Sequence, residues 1–322
     1  MTRRIDVSYK TIIFVTVFLL ALWIIWHILD LLLLLFVAVI FMSALSPVVN
    51  FLTNLKIPKA LGIFFIYILI IGVMGVGLTI SFTPLVEETT KLITILPSVL
   101  ADFLKVGNVD PGIIQQEFTN LSRNLLQVSK TLFDNLLTVI LLLVLTFYLL
   151  LERESLEKRI ATLFLDKEER INKLLYEIEG KLGAWLRGQL LLSLIIGLLV
   201  YIGLLLLQIP YALPLAILAG VLEVVPVIGP IISAIPGILL GLSISPFLAG
   251  GVAAMYFVVQ QLENHLVVPQ VMSKAVGLNP LVVILAIAVG GRLLGIGGAL
   301  LAVPIVVVVQ VIIADFLREK KA

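Results

Sequence analysis

The 322-residue chain has no cysteine, two histidines and few charged side chains, which make up 13% of it. Without cysteine there is no disulfide framework and no thiolate metal site, and two histidines are too few for a conventional zinc site. No GxxxxGK(S/T) phosphate loop, HExxH pair or GxSxG elbow occurs, so ATP-driven pumping and the familiar hydrolytic chemistries lack their residues. No catalytic residue, metal or cofactor is therefore expected, and the chain does not read as an enzyme. A formal net charge of +2 is too small to suggest nucleic acid.

What is present is apolar surface. Hydrophobic residues make up 61% of the chain, far more than a soluble domain can bury beneath so few charges. A helix needs about 20 apolar residues to cross a bilayer, so the long runs can be counted. They fall at Ile12–Ile28, Leu31–Leu52, Leu61–Phe82, Leu132–Leu151 and Leu190–Leu207. Met1-Thr2-Arg3-Arg4 ahead of the first run resembles a signal peptide. However, His27 and Asp30 follow in place of a small-residue cleavage site, so a retained span is expected. The fold class is accordingly all-α: a polytopic helical membrane protein, with Pro/Gly-broken or re-entrant helices in its C-terminal third.

Two intervening stretches are polar. In 85–131, Ile114, Phe118, Leu121, Leu125, Val128 and Leu132 recur at steps of four and three. That is the stripe of an amphipathic helix, and Pro97 and Asn108–Gly112 mark a bend and a turn. A helical hairpin outside the bilayer, contacting the membrane or neighbouring subunits, is expected there. Residues 152–187 carry mixed charge, and Asp166 with Glu169 suggests a variant capping box opening a helical connector. The expected segments are three spans in 1–84, the extracytoplasmic insert 85–131, a fourth span 132–151 and the connector 152–187. A membrane core 188–316 and a basic tail 317–322 complete the chain.

Basic residues set the expected orientation. The connector holds Arg153, Lys158, Arg159, Lys167, Arg170, Lys173, Lys181 and Arg187, and the turn at His27–Asp30 holds none. Both termini and the connector are expected on the cytoplasmic side, although the insert carries four basic residues of its own.

Beyond Gln208-Ile209-Pro210 the apolar runs are broken by Pro and Gly. Two stretches are alike: Pro214-Leu215, Glu223, then Pro226 and Val227–Pro236; and Pro280-Leu281, Arg292, then Gly295–Pro304. Ile, Gly, Ala and Pro recur in register across the last ten residues of each. Four matches in so Gly/Ala-rich a sequence also arise by chance. As a true repeat they mean paired helix breaks, a recurring way to build a transport site near the bilayer midplane. As the plainer alternative they are two kinked helices packed through small residues. The breaks would centre on Pro226, Gly229, Pro230 and Pro236, and on Gly295, Gly297, Gly298 and Pro304.

An ionisable group in a bilayer costs about 2.5–3.5 kcal/mol by insertion scales, so it usually faces a partner or water. Glu223 and Arg292 occupy similar places in the two stretches, and each is the other's expected partner; the plainer alternative is two snorkelling interfacial residues. Between them Gln260, Gln261, Glu263, Asn264 and His265 end an apolar helix ahead of Pro269. They are candidates to line an aqueous vestibule, although a lone histidine is more often only a hydrogen-bonding residue.

At these motifs the chain resembles the AI-2E (autoinducer-2 exporter) transporter family. The resemblance rests on Gly188-Gln189-Leu190-Leu191, Pro226–Pro230, Gln261–Gln270, Gly277-Leu278-Asn279-Pro280 and Gly295–Pro304. It implies a multi-pass protein of the bacterial inner membrane, about eight spans and homo-oligomers. It also implies transport: autoinducer-2 export in some relatives, sodium or proton antiport in others. Expected partners are the lipid bilayer, a small polar solute and Na+ or H+. Export of a small polar solute is the first expectation, with autoinducer-2 as the default. Cation/proton antiport through Glu223 or Glu263 is the second, and a non-transporting membrane scaffold the third.

Overall fold

The computed structural model describes residues 9–73, 75–77, 79–80, 136–163, 167–225, 228–275 and 277–319. The insert at 85–131 with its Phe118 stripe, Asp166, Pro226 and the last three residues lie outside the described residues.

Every regular element among the described residues is helical. The first spans are α1 (Tyr9–His27) and α2 (Leu29–Asn54), then α3 (Lys59–Gly77) and α4 (Leu136–Thr162). Helix α5 (Glu168–Leu206) is a single rod of 39 residues, about 58 Å at 1.5 Å per residue. That is nearly twice the hydrocarbon thickness of about 30 Å. Its apolar half from Gly188 is by itself long enough to cross, and its charged half, up to Arg187, extends beyond that length. The connector is thus no separate body: the end of α4 and the start of α5 are the protruding ends of two spans. The second begins after Lys167, with Glu168 and Glu169 in its first turn facing the positive end of the helix dipole.

The protruding end is held by charge. Arg153 on α4 reaches Glu179 on α5 at 2.7 Å, Glu157 at 2.9 Å and the Ser46 hydroxyl of α2 at 2.6 Å. Lys59 at the start of α3 pairs with Glu154 at 3.0 Å. Burial pushes the Glu179 carboxyl above its usual range, against the opposing pull of Arg153. The fully exposed Glu154 is held below its usual range by its hydrogen bond to Lys59.

The rest of the chain is α6 (Ala212–Leu222), α7 (Ile228–Ile244) and α8 (Pro246–Leu262), a π-helical turn (Glu263–Val267), α9 (Val268–Ala275) and α10 (Pro280–Glu319). Among the described residues six helices are long and apolar enough to span: α1 to α5 and α10. For α10 that length misleads. Gly295 adopts φ 63° and ψ −145°, a conformation open in practice only to glycine, and the chain reverses there. An added Cβ at Gly290 would run into the Gly298 carbonyl and come within 3.3 Å of Ala302. Such neighbours are possible only if arms 280–294 and 296–319 fold back on each other.

Candidate functional site

Close backbone contacts fix the register of the C-terminal helices. Gly220 of α6 lies against the Ser193 carbonyl of α5, and Gly197 of α5 lies 3.2 Å (as an added Cβ) from the Ala216 carbonyl. Helix α6 therefore runs back along α5, from the far end toward the charged end. Helix α7 returns, and Ser245 then caps α8 by accepting from the Leu248 amide at 3.1 Å, with Pro246 at the first helical position. Helix α8 descends again, with Gly203 against Met255 and Gly251 against Leu207. Ile196, Val200, Leu204, Leu215, Ala219, Leu240, Val252 and Tyr256 are core residues of this group.

The turn joining α6 to α7 thus points toward the charged end, entering from the far side. Gly229 is required there, because a Cβ would collide with the Leu222 carbonyl. The α10 hairpin enters from the opposite side. Its first arm starts after Leu278 and its second passes Val303 and Val307, all grouped with Leu182, Trp185 and Leu186 of α5. Its end is tied to the same charged region through Arg170–Asp315 at 2.6 Å and Arg318–Glu177 at 3.4 Å. Its tip lies about 12 Å beyond Val303 at helical rise, so it ends partway along the apolar half of α5. The two sequence-similar stretches are therefore two helical hairpins entering from opposite ends. Inverted pairs of broken helices commonly frame substrate sites.

At the tip of the first hairpin Glu223 is 2% exposed and Glu263, at the start of the π-helical turn, is 5% exposed. Their carboxyl groups are in hydrogen-bonding contact. Gln260 donates to Glu263 Oε2 at 2.9 Å, and buried Gln189 of α5 donates to the Glu223 backbone carbonyl at 2.8 Å, capping the end of α6. Oε2 of Glu223 is buried and finds no donor among the described residues. Pro269 explains the π-helical turn. Lacking an N–H, it cannot bond the His265 carbonyl and its ring crowds that group. The chain widens instead, so that the Val268 amide reaches Glu263. Insertions of this kind recur at functional sites.

The structure does not bring Glu223 to Arg292. Arg292 is exposed near the tip of the other hairpin, and neither residue has an ion pair among the described residues. Nor does the carboxyl site sit at mid-span. Glu223 is level with Gln189, one residue into the apolar run of α5, and so near its charged end. Gln261, Asn264 and His265 are exposed, His265 Nδ1 meeting the Gln261 carbonyl at 3.0 Å. Pro304 is buried, Pro230 and Pro236 are half-buried, and Gly297 has open space where a Cβ would be. Gln189 belongs to the site although it was read only as part of a motif. Its signal is a lone amide just inside an otherwise apolar run.

A model of the AI-2E transporter family matches residues 12–318. The chain belongs to the AI-2E transporter family. Among its relatives, YrrI of Bacillus subtilis (strain 168) is 29% identical over 295 residues, covering 86% of this chain and 84% of YrrI. YueF of the same strain is 28% identical, covering 85% and 80%. The AI-2 transport protein TqsA of Escherichia coli (strain K12) is 27% identical, covering 86% and 82%. As an AI-2E transporter the chain is a multi-pass membrane protein of a bacterial transporter family, in which both hairpins and the carboxyl pair fall inside the matched region.

Proposed function

We propose that this AI-2E transporter is a secondary transporter that moves a small polar solute across the bacterial cytoplasmic membrane. In this reading its charged end and both termini face the cytoplasm, as the basic residues favour. The observation that carries it is the burial of Gln189, Glu223 and Glu263 together, with half-buried Gln260 beside them, where a helix break meets the end of α8. Burying such groups in a chain this apolar is costly, and a scaffold has no use for them. Arg292, at the opposing tip, is the cationic candidate for the solute pathway. Autoinducer-2 is the first solute to test, because the relative TqsA bears that substrate in its name. A homo-oligomer accords with this reading: no residue of α1 is buried within the chain.

A second reading, cation/proton antiport, is favoured by the Glu223–Glu263 contact. Both are tested by flux into vesicles containing the full-length chain, with a panel of polar solutes that includes autoinducer-2, under imposed sodium or proton gradients. Saturable movement of one solute, reduced at least tenfold in Glu223→Gln, is the expected result. Folded protein that moves nothing in any gradient would return the chain to the scaffold class.

A further inference from the structure

We infer that Glu223 and Glu263 form a binding site for a single proton, exchanged with water at the charged end of the molecule. This rests on the transport reading above and gives it a coupling ion. A hydrogen bond between two carboxyl groups exists only if one of them carries a proton, since an ionised carboxylate has no donor. Two ionised carboxylates held together away from water would repel strongly. So close a pair is best satisfied by one proton between two oxygen bases, AH···A⁻, and releasing it would leave two charges that the surroundings do not neutralise.

The surroundings can be followed element by element. On α5, Gln189 gives its amide to a backbone carbonyl, and Arg187 gives one guanidinium nitrogen to the carbonyls of Ser43 and Ala44. On α8, Gln260 donates to Glu263 and Tyr256 gives its hydroxyl to the Ser233 carbonyl at 3.2 Å. His265 is exposed with its Nδ1 on a carbonyl of its own helix, and Arg292 lies exposed near the other hairpin tip. No cation is ion-paired to either carboxyl among the described residues.

A further observation concerns the oxygens of the pair themselves. Oε2 of Glu223, in a residue 2% exposed, is a buried acceptor with no donor among the described residues. An unmade hydrogen bond there is costly, and a bound proton or the water delivering it removes that cost. Position supplies the route. Gln189, level with the pair, is two residues past Arg187, so the path to water at the charged end is short. Helix α9 lies across it, with Val271 and Met272 each 3.4 Å from where a Cβ of Gly188 would be. Both carboxyls also stand at helix breaks, where a small change of backbone can open or close the path.

The experiment is infrared difference spectroscopy of the full-length chain in lipid vesicles at neutral pH. A carboxylic C=O band is expected, shifting when the vesicles are moved into D2O and lost in the double variant Glu223→Gln/Glu263→Gln. Glu154→Gln, at an exposed carboxylate, should leave it unchanged. Absence of the band in the native chain, or its survival in the double variant, overturns the site. Loss of the band when sodium replaces choline at constant pH overturns the assignment to a proton in favour of a metal cation. These native-chain measurements decide the matter even if the double variant fails to fold. An exchangeable band without solute flux keeps the proton site and removes the transport reading; flux without a band does the reverse.

Discussion

The guanidinium of Arg187 on α5 donates to the backbone carbonyl of Ser43 on α2, at 3.3 Å, and to that of Ala44 at 3.2 Å. Ser43 is four residues before Pro47, which lies inside α2. Proline has no N–H to return to that carbonyl, so a neighbouring helix supplies the donor. Gly183, one turn before Arg187, permits the approach, because a Cβ there would collide with the same Ser43 carbonyl.

This contact predicts opposite signs for two glycine substitutions on one helix. Gly183→Ala must push α2 away and is expected to lower stability by about 1–3 kcal/mol, the usual cost of overpacking. Gly180→Ala meets nothing within 4 Å and should gain up to about 1 kcal/mol from helix propensity. Thermal unfolding in one detergent compares them. Equal shifts would mean that α2 and α5 do not meet at this point.

The reversal at Gly295 makes a similar pair. Gly295→Ala forces a side chain into φ 63° and is expected to destabilise the chain by about 1–3 kcal/mol. Gly297→Ala, with open space around it, should change stability by less than about 0.5 kcal/mol. If Gly295→Ala were the harmless one, α10 would be a continuous helix.

The same hairpin predicts topology. Single cysteines at Asn279 and Arg318, placed in the naturally cysteine-free chain, should both react with an impermeant maleimide from the side that labels Lys167→Cys. In intact cells that side is expected to be the protected, cytoplasmic one. Labelling of Asn279→Cys and Arg318→Cys from opposite sides would show that α10 crosses the bilayer.

Glu179 carries a pH dependence whose sign follows from its burial. Its carboxyl is raised by desolvation although Arg153 opposes the shift. A group raised on folding contributes stability fully at pH below its unfolded value, and loses that contribution as pH rises through its folded value. Glu179→Gln lacks this term, so its stability relative to the native chain should improve between acidic and neutral pH. Melting temperatures across that range test it; a difference that narrows in the other direction would mean that Arg153 dominates.

The membrane class and the five long spans were legible from composition and run length alone, because a helix in lipid satisfies its own backbone and needs only about 20 apolar residues. The similarity of 214–236 to 280–304 was legible too, as were Glu223 as a charge in an apolar run and Glu263 as one of a polar cluster ending an apolar helix. What each charge faces was not. Similar spacing from an Ile-Gly break suggested Glu223 with Arg292, but spacing along a chain says nothing of which side of the bilayer a hairpin enters. Only the packing of Gly220 on Ser193 and of Gly290 on Gly298 sent the two hairpins in from opposite ends. That packing placed Glu223 beside Glu263 and left Arg292 apart, because contacts between helices depend on register and direction, which hydrophobicity does not encode.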